Sequence, residues 1–109
     1  MFSSELEAFR RQLKHFQDGT ARNLETISKL NSVAMRIRFE ALRERVKSPD
    51  LVTMKSIAEE AMVAVTEWNE ALPDNKRPHV THLRSLIGFC DKRLQEAAAD
   101  FEKRRGYAR

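Results

Sequence analysis

Cysteine, glycine and proline are all scarce in this chain. Its 109 residues include one Cys, three Gly and three Pro. The lone Cys90 excludes an intrachain disulfide and sets a reducing, intracellular environment as the expectation. So few turn residues exclude a chain built from many short strands. No glycine-rich phosphate loop is present, so P-loop and dinucleotide-binding enzymes are excluded. No apolar run approaches the ~18 residues that a membrane span needs. The opening residues, Met1 to Glu7, lack the basic and apolar regions of a secretory signal. A soluble, cytoplasmic protein of one domain, residues 1–109, is the expectation.

What the chain does have is charge, with apolar residues at helical spacing. Charged residues make up 33% and the hydrophobic set 41%, with a net charge of +4. Two clusters of punctuation divide it. Ser48-Pro49-Asp50 reads as a helix stop followed by a start, with Ser48 as cap, Pro49 in the first turn and Asp50 at the positive end of the dipole. Pro73 to Pro78 reads as a polar loop. Weaker marks are Asp18-Gly19-Thr20 and Gly106.

Each segment carries apolar residues stepping by threes and fours. In the last, these are Val80, Leu83, Ile87, Cys90, Leu94, Ala97 and Phe101. In the middle one, they are Leu51, Met54, Ala58, Ala61, Val65, Trp68 and Leu72. Strands would alternate by twos, so both segments are amphipathic helices. Ile57, Met62, Leu86 and Phe89 widen the stripes towards globular helix packing.

The first segment holds two stripes in phase: Phe2, Leu6, Phe9, Leu13 and Phe16, then Ile27, Leu30, Ala34, Ile37 and Ala41. That register favours one helix through Gly19, about 65 Å long at 1.5 Å per residue. The alternative is a turn at Gly19 and a second helix capped by Thr20. The fold is therefore all-α: an antiparallel bundle of three helices with a long first one, or of four if the chain breaks at Gly19. With a continuous helix, Phe2, Leu6, Phe9, Leu13 and Phe16 have no cover within the chain and form an oligomer or partner interface. A homodimer is the expected assembly. A further strip, Met35, Phe39, Leu42 and Val46, makes the end of this segment apolar on two sides and marks it as central.

Charge is segregated. Residues 1–47 carry ten basic and six acidic groups, residues 48–72 one and five, and residues 73–109 nine and five. An acidic helix between basic ones suits packing within a bundle. Arg36, Arg38, Arg43, Arg45 and Lys47 form one basic cluster, and Lys103, Arg104, Arg105 and Arg109 beside Tyr107 form another. They are candidate nucleic-acid contacts. Glu40, Glu44, Asp100 and Glu102 interrupt both, and no helix-turn-helix accompanies them.

No constellation specifies a reaction. His79 and His82 share a helix face but lack a third metal ligand. His15 lies beside the Phe stripe. Cys90, on an inner stripe, behaves as a small hydrophobe. No Glu-x-x-His pair of di-metal bundles occurs. No catalytic residue, cofactor or metal is expected.

Residues Asn23-Leu24-Glu25-Thr26-Ile27-Ser28-Lys29-Leu30-Asn31-Ser32-Val33-Ala34 resemble the opening of phasins, helical proteins that coat polyhydroxyalkanoate granules. Ser48-Pro49-Asp50-Leu51-Val52-Thr53-Met54 resembles the break before their next helix. The similarity covers residues 20–70. Arg36, Arg38 and Phe39 depart from it, standing where phasins usually carry Ala and Gly, and the chain from Pro73 onward does not match. The resemblance implies a surfactant-like or scaffold role without catalysis. A small regulatory or nucleic-acid-binding protein, of the phage or mobile-element inhibitor type, is the alternative.

Overall fold

In the computed structural model, residues 3–19, 24–70 and 80–107 are described. They form four helices and no strand: α1 (Ser3–Gln17), α2 (Leu24–Arg43), α3 (Ser48–Asn69) and α4 (Thr81–Tyr107). Phe2, Thr20, the Pro73–Pro78 segment, His79 and Arg109 lie outside the described residues.

The first segment is not one helix. Gly19 has φ +77°, in the left-handed region that glycine enters without steric cost. The last turn of α1 closes through the Asp18 N–H donating to the Lys14 carbonyl at 2.8 Å and the Gly19 N–H donating to the Phe16 carbonyl at 3.2 Å. The energetic reason lies in the apolar stripe. Leu6, Phe9, Leu13 and Phe16 are buried in the same cluster as Ile27, Leu30, Ile37 and Met54. Burying one such side chain contributes about 1.5–3 kcal/mol. Four of them outweigh the few helical residues lost at the break. Continuity through Gly19 would have left them in water, so folding back wins.

The described helices pack around a ring. α1 lies against α2 and α3, and α4 lies against the same two. α2 and α3 sit across the diagonal and touch little, while α1 and α4 do not meet among the described residues. Phe16 and Trp68 tie α1 to α3, edge to face, with ring centroids 6.1 Å apart. Lys55 Nζ lies 2.6 Å from Asp91 Oδ1 and links α3 to α4.

The start of α3 falls one residue before the expected one. Lys47 is the cap residue, with extended φ −72° and ψ 148°, and no side chain caps the helix there. Its carbonyl instead accepts from the N–H groups of Asp50 and Leu51 at 3.0 and 3.1 Å. Pro49 sits in the first turn, where its missing N–H costs nothing. α4 begins differently. Val80 precedes its first turn and has no side-chain acceptor. Asn31 Oδ1 on α2 accepts from the N–H groups of His82 and Leu83 at 3.0 and 3.2 Å. A side chain 51 residues away in sequence thus satisfies two donors that a helix start leaves unpaired.

Burial along α4 stops well before its end. Val80, Leu83, Leu86 and Cys90 face the core, while Ile87 and Leu94 are half-buried. From Gln95 to Lys103 every residue is exposed, Phe101 at 64%. The expected inner positions Ala97 and Phe101 therefore face water. α4 has 27 residues, about 40 Å, against 20 in α2 and 22 in α3, and its last turns run past both neighbours.

Candidate interaction surface

Of the stripe assigned to an interface, the described members Leu6, Phe9, Leu13 and Phe16 are inside. Phe9 and Phe16 have no exposed surface, and Leu6 and Leu13 nearly none. The open apolar surface lies on α2 instead. Val46 lies past the helix end, in the link to α3, and packs against the core. On the helix, Met35, Phe39 and Leu42 step by four and three. At 100° per residue these three fall within about 60° of arc, and they stand some 140° away from Leu30, Ala34, Ile37 and Ala41, which are buried. Phe39 and Leu42 are each about half exposed (48% and 49%). The end of α2 was expected to be central because it is apolar on two sides. It is central on one side only, because the diagonal arrangement leaves its outer face without a neighbouring helix among the described residues.

Arginines border this strip. Arg36 and Arg43, seven residues apart, are exposed along one edge, and Arg38 is half-buried along the other. The Arg38 guanidinium sits 5.1 Å from the Phe39 ring centroid. Its Nε is buried with no hydrogen-bond partner among the described residues. Arg45 and Lys47 follow, exposed, in the link to α3. Arg45 shares a groove with Val46, Leu51, Phe89, Arg93 and Asp100, so the end of α2 meets the distal half of α4. Arg45 of the first basic cluster thus lies near the distal half of α4, whereas Arg36 lines a different groove, with Gln12, Glu25 and Ser32. Lys103 is exposed, and Arg104 and Arg105 belong to the last turns of α4.

A second open face lies on α3. Val52, Ser56, Glu59 and Val63 step by four, three and four. They point away from Met54, Ala58, Ala61 and Val65, which are buried. Val52 and Val63 are more than half exposed (54% and 59%). Glu60 and Glu67, again seven residues apart, border the face on one side. Beside it runs a groove of about 870 Å³ whose lining includes Val63, Ala64, Trp68, Glu59, Glu60 and Glu67. The stripe of Leu51, Met54, Ala58, Ala61 and Val65 read from the sequence is the buried one, which leaves this face outward.

The remaining candidates are placed as follows. His15 is exposed on α1, and His82 is half-buried with its backbone N–H bound to Asn31. No group of three or more His, Cys, Asp or Glu side chains among the described residues is arranged to hold a metal. Cys90 is fully buried, and burial pushes its thiol up from 9.0 to about 11. It is a core residue held in the unreactive protonated form. Lys55 is raised from its ordinary value by its hydrogen bond and charge pairing with Asp91. No helix among the described residues is long and apolar enough to cross a membrane. No family model matches the chain, and no curated protein or solved structure shows significant similarity to it.

Proposed function

We propose that this chain is a non-enzymatic interaction protein that self-associates and binds a partner or a hydrophobic surface through its amphipathic helices. The observation that carries this reading is the outer face of α2, where Phe39 and Leu42 stand in water between arginines. Aromatic, aliphatic and arginine side chains grouped in this way are the usual composition of a docking surface. The phasin resemblance favours a hydrophobic surface as the target. The test is adsorption to hydrocarbon droplets in water, comparing the parent with a Phe39→Asp, Leu42→Asp double variant. The parent adsorbs and the variant stays in the aqueous phase. Equal adsorption of the two would sink this assignment.

The approach of Arg45 to the distal half of α4, the helix on which Lys103 is exposed, supports a second reading, a regulatory or nucleic-acid-binding protein acting through Arg36, Arg38, Arg43, Arg45, Lys47, Lys103, Arg104 and Arg105. Its signature is binding to a short DNA duplex that weakens steeply with added salt. Binding that is absent at low salt removes this reading.

A further inference from the structure

We infer that the outer face of α2 is the seat for the outer face of α3 from a second copy of this chain, so that copies associate head to tail. The inference rests on the reading of this chain as an interaction protein and names one of its partners.

The two faces match in charge. The α2 face runs over Met35, Phe39 and Leu42, and the α3 face over Val52, Ser56, Glu59 and Val63. The first is apolar and half exposed at Phe39 and Leu42, and the second is apolar and exposed at Val52 and Val63. Arg36 and Arg43 border the first at a spacing of seven, and Glu60 and Glu67 border the second at the same spacing. Pairing α2 with α2 would set arginine against arginine, and pairing α3 with α3 would set glutamate against glutamate. Like charges at such edges are the means by which helical interfaces reject partners. Only the unlike pairing brings opposite charges together.

The geometry of the fold gives this pairing a consequence. α2 and α3 lie across the diagonal, so their outer faces point to opposite sides of the molecule. A contact between them uses two different surfaces and is not closed by one twofold axis. Each docked copy therefore offers a fresh α2 face or a fresh α3 face to the next.

The test uses the full chain and two surface variants, Phe39→Asp and Val63→Lys, each confirmed as folded by circular dichroism. Light scattering across a concentration series at low salt should show the parent growing past a dimer. High salt should reverse that growth, because charges beyond about 3 Å are screened at 1 M. Each variant alone keeps one working face, and its association should weaken at least about tenfold, the scale of an interface hot spot. An equimolar mixture should form a one-to-one dimer and stop there. It joins the intact α2 face of the Val63→Lys chain to the intact α3 face of the Phe39→Asp chain. A parent that stays monomeric at low salt overturns the inference. So does a mixture that fails to dimerise, or growth in which the two variants associate as well as the parent. A monomeric parent that still adsorbs to droplets through Phe39 and Leu42 would leave the interaction reading standing and remove only the self-docking.

Discussion

Asn31 is the least conspicuous residue on which the fold depends, and replacing it tests how α4 is anchored. Its Oδ1 accepts from the N–H groups of His82 and Leu83, both part-buried, at 3.0 and 3.2 Å. Asn31→Ala removes the single acceptor of both bonds. A buried donor left without a partner costs about 1–3 kcal/mol. Partial burial lets water recover some of that loss. Alanine also returns up to about 0.7 kcal/mol through its better helix propensity in α2. The net loss is therefore about 1–2 kcal/mol, which lowers Tm by about 5–12 °C for a domain of this size. The control is Asn31→Asp. It keeps an acceptor in place and adds negative charge at the positive end of the α4 dipole, worth about 0.3–1 kcal/mol. Near neutral pH the Asp variant should therefore match or exceed the parent, while the Ala variant melts early. Thermal and denaturant melts followed by far-UV circular dichroism give both values. An Ala variant within about 0.5 kcal/mol of the parent, the range of ordinary surface changes, would refute the capping role. So would an Asp variant as unstable as the Ala one.

Three other outcomes are expected. Phe9→Ala empties a fully buried site and should cost about 3–5 kcal/mol, measured by guanidinium unfolding; a loss below 1 kcal/mol would mean that α1 is not packed as described. Gly19→Ala meets no neighbouring atom but must hold φ +77°, so it should cost about 1–2 kcal/mol through backbone conformation alone, with Gly19→Asn in between; equal stability of all three would contradict the left-handed turn. The Cys90 thiol titrates at about 11 in the fold and at its ordinary 9.0 when unfolded, so between those values the unfolded chain binds fewer protons and stability should fall as pH rises. Cys90→Ala removes that component of the slope, and an unchanged slope in denaturant midpoints across pH 9 to 11 would count against it.

The helices themselves were legible in the sequence. Stripes stepping by threes and fours are a local property, and so are the helix start at Ser48-Pro49 and the acidic character of α3, although the preceding helix stops earlier, at Arg43. The core positions of α3 follow from its stripe, since Leu51, Met54, Ala58, Ala61 and Val65 are all buried. α4 was read less well. Leu86 takes the buried place given to Ile87, and Ala97 and Phe101 are exposed, Ala97 at the edge of a groove shared with the end of α2 and the start of α3. Other features depended on residues that are distant in the chain. The 3.6-residue period shows that α2 has two apolar faces but cannot rank them, because the choice depends on where α3 and α4 stand. Gly19 permits either a straight helix or a reversal at similar local cost. The balance was tipped by the burial of Phe9 and Phe16 against partners that only folding brings near. The seat of α4 on Asn31 spans 51 residues, beyond any local pattern. Local periodicity, set by backbone geometry, thus determined that this protein is helical and where most of its helices run. Burial, which is shared among segments far apart in sequence, decided which apolar stripes became core and which stayed open for a partner.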